Sequence, residues 1–215
     1  MNLPLIILGA GGHARVLLEA LRGTGREVKG IMTPEKELWG KDIYGALVIG
    51  DDDCINNYDQ DEINVVNGIG SVGDPSIRIK TYTNIKEKGF SFATVVHPSA
   101  IISRDVVLSE GSQVMAGAVI QPGCFIGENV IVNTGAILDH DCRVGSHVHI
   151  APGVVLSGGV VVGAKTHIGT GACVIQGVVI GESVLVFAGA VIVRDIPNGS
   201  RVRGVNVLPA KQKNI

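Results

Sequence analysis

The chain has 215 residues, 46% of them hydrophobic and 18% charged, enough apolar content to bury a core and too much for a disordered chain. Its formal net charge is −2 and it has no Lys/Arg block, which argues against nucleic acid or an anionic membrane surface as a partner. Only 4% of residues are aromatic while 30 are Gly, a balance that suits a repetitive, tightly turning β architecture.

Met1 to Gly9 is a short apolar run with no basic flank and no cleavage site, so it reads as a first strand and not a signal peptide. No apolar stretch is long enough to span a bilayer. The four cysteines, Cys54, Cys124, Cys142 and Cys173, form no C-x-x-C pair, and reduced thiols in the cytoplasm are expected.

In chain order, Leu5 to Gly9 predicts a buried parallel strand. A Gly-rich turn follows, then a helix from about Ala14 to Leu21. Val28–Ile31, Val48–Ile49 and Ile63–Val66 are further short strands. Pro75–Lys88 reads as a helix with Asp74 as N-cap and Pro75 in its first position, ended by Gly89. This order predicts a small Rossmann-like α/β domain with a mostly parallel sheet over residues 1–95.

A period of six then takes over. Every sixth residue from Ile102 to Ile192 is Ile, Leu or Val. Four residues after each comes a second series, from Val106 through Ala118, Cys124, Ala136 and Cys142 to Ile196, nearly all small or β-branched. Such hexapeptides predict a left-handed parallel β-helix over residues 96–215, with three hexamers per triangular coil. Residues 18 apart then stack about 4.8 Å from each other. Cys124 and Cys142, 18 apart and inward-facing, are expected to be core thiols.

Several residues depart from a purely structural repeat. His140 and Asp141 follow Leu138 at a corner, where both side chains can project as a base and its orienting carboxylate. His149 and His167 each precede an aliphatic position and are expected to point outward, stacked on one face, either solvated or lining a groove between subunits. His147, at a corner, receives no role. A zinc site of the β-helical carbonic anhydrase kind is disfavoured, because the histidine spacings lack that group's close five-residue pair; no metal is expected. In the first half, Gly9-Ala10-Gly11-Gly12-His13-Ala14 follows a strand and opens a helix. Backbone N–H groups there can cradle a phosphate. The pattern fits a relaxed dinucleotide fingerprint, but the half is short and lacks an acidic residue cleanly placed after the second strand, which favours a mononucleotide or phosphate over NAD.

The chain resembles the bacterial sugar acetyltransferases of the PglD/NeuD type along nearly its whole length. The resemblance rests on Gly9 to His13, Gly68-Ile69-Gly70-Ser71, His97-Pro98-Ser99-Ala100, the Asn133…Asp139-His140-Asp141-Cys142 segment, and Pro209-Ala210-Lys211. It implies a cytoplasmic homotrimer with acetyl-CoA between adjacent β-helices and a nucleotide-linked 4-amino-sugar held by the N-terminal domain. It implies that His140 is the general base and Asp141 its acidic neighbour. Gly11, Gly12, His13, Gly70, Ser71 and Asn133 would then lie with the acceptor, and His149, His167 and Gly169 with acetyl-CoA. Met32-Thr33 departs from the acidic residues the family often carries there. The expected reaction is N-acetylation; O-acetylation of a sialic acid or similar sugar is the alternative within the fold, and a non-catalytic scaffold the alternative outside it.

Overall fold

The computed structural model describes residues 3–205; Pro209 to Lys211 lie outside the described residues. Strands β1 (Leu5–Leu8), β2 (Val28–Met32), β3 (Asp42–Ile43), β4 (Ala46–Gly50) and β5 (Asn64–Asn67) form a sheet in the order β3-β4-β2-β1-β5. All pairings are parallel except β3 with β4. The four residues of β1 are 0% exposed because both sheet faces are covered. Helix α1 (Gly12–Leu21) sets Ala14, Leu17 and Leu21 against Leu5 and Ile7. Helix α2 (Ser76–Glu87) sets Tyr82 and Ile85 in the cluster that holds Ile6 and Leu8. Burial on both faces explains why β1 is continuously apolar and not alternating.

Helix α2 starts one residue later than expected, so Pro75 and not Asp74 takes the N-cap position; Asp74 stands one residue before it, its Oδ1 accepting from the Ser76 N–H at 2.9 Å. Helix α1 starts earlier than expected, at Gly12, with Gly11 before it and no side-chain cap. Strand β3 was not foreseen; two residues are too few to carry a period.

From Val95 onward, two-residue strands, six residues apart as far as Val191–Ile192 and then a last one at Arg201–Val202, wind through three parallel sheets of seven, six and five strands. Ile131 pairs with His149 and His149 with His167, so adjacent coils are in an 18-residue register. Both predicted series fill the interior, including Cys124 at 1% and Cys142 at 0% exposure. The first coil is looser, with Ile102, Val106 and Leu108 partly buried. Corners turn through left-handed residues such as Gly123 (φ 76°), Asp141 (φ 60°) and His147 (φ 63°).

The N-terminal lobe packs on the seven-stranded face. Val95 and Met115 of the β-helix belong to the same apolar cluster as Leu5, Ile7 and Leu17. On that face Gln113, Ile131, His149 and His167 point out of the prism in one column and are nonetheless buried. Of the two readings left open for this stripe, the solvated one does not hold: the two histidines do point outward, as expected, but are buried beside the lobe. The seam is polar. His13 Nε2–H donates to Gln113 Oε1 at 2.7 Å, and Gln113 Nε2 donates to the Asn67 carbonyl at 2.8 Å. Buried Arg78 donates to the carbonyls of Asn67 (2.9 Å), Ile69 (2.6 Å) and Asn129 (3.3 Å through Nη2). Asn67 Nδ2 in turn donates to Asn129 Oδ1 at 3.2 Å.

Burial holds the His13 imidazole down at about 4 and the His149 imidazole at about 3. Between pH 6.5 and those values the unfolded chain binds protons that the folded chain does not. Stability is therefore complete above pH 6.5 and falls as pH drops below it. Urea unfolding should show a loss of about 1 kcal/mol per histidine between pH 7.5 and 5.5. His149→Gln should remove its share of that loss. Equal stability of the native chain at both pH values would contradict buried neutral imidazoles at the seam.

Candidate active site

The corner between Ile137–Leu138 and Arg143–Val144 carries His140 and Asp141. It joins the six- and five-stranded faces, opposite the face that carries the lobe. His140 Nδ1–H donates to Asp141 Oδ2 at 2.9 Å, since a carboxylate only accepts. That tautomer leaves Nε2 unprotonated. The hydrogen bond that His140 donates to Asp141 raises the His140 pKa, and the charge of Asp139 adds to it. Asp139 also fixes the turn, its Oδ1 accepting from the His140 N–H at 2.8 Å. Both side chains of the pair are open to solvent, at 62% and 71% exposure. The corner can therefore present a neutral, acceptor-ready imidazole at pH values somewhat above the usual histidine range.

The coils on either side make room for this pair. A Cβ on Gly123, one coil before Asp141, would overlap Asp141 Oδ1, and a Cβ on Gly158, one coil after His140, would overlap His140 Nε2.

The other predicted site residues gather along the seam. The turn from Gly9 to Gly12 stands at the C-terminal end of β1, with Gly68 to Ser71 beside it at the end of β5. At Gly70 a Cβ would lie 3.3 Å from His13 Cβ. Gly11 and Gly12 are different: neither has left-handed φ, and a side chain on either would enter open space. Among the described residues, no packing requires glycine there. His13, expected to lie with the acceptor, has its Nε2–H held by Gln113.

Asn133 Oδ1 accepts from the Thr134 N–H at 2.8 Å, so Asn133 Nδ2 faces His149 Nε2 at 3.1 Å. His149 Nδ1–H then donates to the Ser71 carbonyl at 2.7 Å. Burial first, then the neighbouring His167, keeps His149 neutral. The His149 and His167 rings meet edge to face, 4.9 Å between centroids. His167 Nδ1 is buried without a hydrogen-bond partner. His167 and Gly169 line a cleft of about 600 Å³ together with Val72, Thr170, Phe187 and Arg201. A cleft of about 740 Å³ lined by Tyr58, Asp59 and Lys88 lies at the opposite, N-terminal end of β5 and does not reach this cluster.

Within one chain the structure thus brings Ser71, Asn133, His149 and His167 together and leaves His140 and Asp141 on a separate corner. Sequence reasoning missed Gln113, Asn67, Arg78 and Asn129, which fix the lobe beside the His149 column. Counting back in steps of 18 from His149 would have reached Gln113. His147, given no role, accepts at Nδ1 from Asn129 Nδ2 (3.1 Å) and meets the Tyr82 ring edge-on. Among the described residues, no group of three or more His, Cys, Asp or Glu side chains could hold a metal ion.

The PglD N-terminal domain model matches residues 4–85, and the bacterial transferase hexapeptide model matches residues 123–158. No curated protein sequence matches the chain. Among solved structures, a histidine-to-asparagine variant of perosamine N-acetyltransferase from Caulobacter crescentus, in complex with CoA and GDP-perosamine, is 39% identical. It superimposes with a TM-score of 0.87, over 94% of this chain and 93% of that one. The acetyltransferase domain of PglB from Neisseria gonorrhoeae, in complex with acetyl coenzyme A, is 38% identical with a TM-score of 0.87, over 95% of this chain and 97% of that one. WeeI from Acinetobacter baumannii, 24% identical with a TM-score of 0.76 over 94% of this chain and 97% of its own, shares the fold. A lobe matching the first model, a prism matching the second, and 38–39% identity along whole relatives place one conclusion beyond the fold: the chain belongs to the PglD/NeuD-type sugar acetyltransferases of the hexapeptide-repeat acyltransferase superfamily.

Proposed function

We propose that this protein transfers the acetyl group of acetyl-CoA to the amine of a nucleotide-linked 4-amino-sugar, with His140 as general base. The observation that carries the base assignment is the 2.9 Å contact between His140 Nδ1 and Asp141, which leaves Nε2 unprotonated on a side chain open to solvent. A relative 39% identical is a perosamine N-acetyltransferase seen with CoA and GDP-perosamine, and that supports the substrate class.

The chemistry is direct transfer. The amine attacks the thioester carbonyl, the C–N bond forms, and the C–S bond breaks with CoA thiolate leaving. His140 Nε2 takes the proton released by the amine, and Asp141 stabilises the imidazolium that results. Thiolate is already a good leaving group, so no covalent enzyme intermediate is needed. The open backbone at Gly11 and Gly12, at the N-terminus of α1, would hold the diphosphate of the acceptor, with Gly70 and Ser71 beside it. His167 and Gly169, in their shared cleft, would hold acetyl-CoA; the unpartnered His167 Nδ1 fits a ligand that brings a hydrogen-bonding group. No helix among the described residues is long and apolar enough to cross a membrane, and a cytoplasmic location suits both co-substrates.

The active form in this reading is a homotrimer. The two faces that meet at His140 expose apolar side chains, among them Ile101 at 67%, Val107 at 53% and Val179 at 45%. A second copy against those faces would bring its own seam residues to the His140 corner, which a single chain does not do.

Acetyl-CoA turnover with a panel of UDP-, dTDP- and GDP-linked amino-sugars should reveal an acceptor. His140→Ala should then lower kcat by about two to four orders of magnitude, and Asp141→Asn by less. The kcat/KM profile should fall at acid pH as His140 takes a proton, with a midpoint above the usual histidine value because Asp141 and Asp139 raise it. A folded His140→Ala protein with wild-type kcat would remove His140 from the mechanism. Gly11→Val meets no steric obstacle in the chain, so it should fold and raise the acceptor KM about tenfold or more with little change for acetyl-CoA. Equal effects on both substrates would contradict the nucleotide assignment. Sedimentation equilibrium should give three times the chain mass of 22.4 kDa; a stable, fully active monomer would overturn the trimer.

A further inference from the structure

The position two residues after each aliphatic residue of the repeat is a corner position. From Arg104 to Arg194 in steps of six it carries a side chain in every hexamer but one, and that one is Gly158. Gly158 lies one coil below His140, and the register is pinned by the Gly159 N–H donating to the His140 carbonyl at 2.8 Å.

Glycine at 158 answers no need of the backbone. Its φ is outside the left-handed region, which the next residue, Gly159, occupies at 67°. The three atoms nearest an added Cβ all belong to the His140 ring: Nε2, Cε1 and Cδ2. The bare Cα of Gly158 is therefore the floor on which the imidazole lies. Asp141 holds the ring from one side at Nδ1, and the absent side chain leaves its place on the other. A methyl group at 158 would force the ring to turn about χ1 or χ2, and the 2.9 Å bond to Asp141 could not survive that turn.

We infer that Gly158 is a positioning residue: its missing side chain selects the His140 rotamer in which Nδ1 faces Asp141 and Nε2 lies over the bare Cα of Gly158. The inference rests on the reading of His140 as the base. Gly123 plays the matching part beneath the Asp141 carboxylate, but its left-handed φ of 76° would strain any substitution there, so Gly158 is the position to test.

Gly158→Ala should fold with a nearly unchanged melting temperature, because the atoms nearest the methyl group belong to the flexible, exposed His140 side chain, which can turn aside. The kcat should fall about ten- to a hundredfold, the scale for misplacing a catalytic group by about 1 Å, while both KM values change little. A second readout needs no substrate. The ring is faced by Asp141 and Asp139, with the Cys124 thiol behind them. An NMR titration of the His140 Cε1–H signal, assigned by its loss in His140→Ala, should show the pKa moving down toward the usual histidine value as the Asp141 bond is lost. A folded Gly158→Ala protein with wild-type kcat and an unmoved titration would overturn the inference and leave the base assignment standing, provided His140→Ala is inactive. Full activity in His140→Ala would remove both.

Discussion

Stacking in register is the constraint on which the rest of this molecule depends. Each two-residue strand bonds to the strand 18 residues away on either side, so a residue's neighbours on the prism are set by arithmetic. Inside, that arithmetic builds a continuous aliphatic column with Cys124 and Cys142 included. Outside, it builds columns whose chemistry is free to vary, because outward residues do not support the core. The same rule that makes the fold repetitive lets single departures from the repeat, such as the His140–Asp141 corner and its glycine flanks, be installed without disturbing it. A rigid scaffold with variable corners is a suitable place for groups that must be held to within an ångström.

The lobe exploits one of those columns. Its apolar core runs into Val95 and Met115, but its orientation is fixed by polar contacts: His13 to Gln113, Gln113 to Asn67, and Arg78 to three backbone carbonyls. Apolar surfaces slide on one another at small cost, whereas a buried donor displaced from its acceptor is left unsatisfied at a cost of about 1–3 kcal/mol. A seam of this kind admits one docking geometry. That geometry sets where the Gly9–His13 turn and Ser71 stand relative to the His149 column.

The sequence discloses this structure unevenly, and the reason differs from residue to residue. The hexapeptide period is visible because core residues repeat without exception from Ile102 to Ile192. His140 and Asp141 are visible because they interrupt a corner with chemistry the fold does not need. The direction of His149 and His167 is also legible, since pleating sends the residue before an inward position outward. Their burial is not, because it depends on which of three faces the lobe covers, and that choice is made by Gln113, Asn67 and Arg78 acting across 11 to 100 positions of chain. Gln113 looks like an ordinary solvated glutamine until the 18-residue step places it in the same column as His149. Gly158 is hidden for the opposite reason: a glycine in a Gly-rich repeat draws no notice until His140 is seen above it.

Two histidines of this chain show how one side-chain type is given two states by its surroundings. His140 is exposed, and Asp141 raises its affinity for a proton. His149 is buried, both ring nitrogens are engaged by Ser71 and Asn133, and burial lowers its pKa to about 3. Near neutral pH only the first can gain and lose a proton, because protonating the second would desert the Asn133 donor and place a charge beside His167. Environments that push two titratable groups apart assign them different work. In the proposed reaction the proton therefore travels through His140. His149 meanwhile ties the Ser71 loop of the lobe to the Asn133 corner of the prism through two hydrogen bonds, and the one from Asn133 needs a neutral ring.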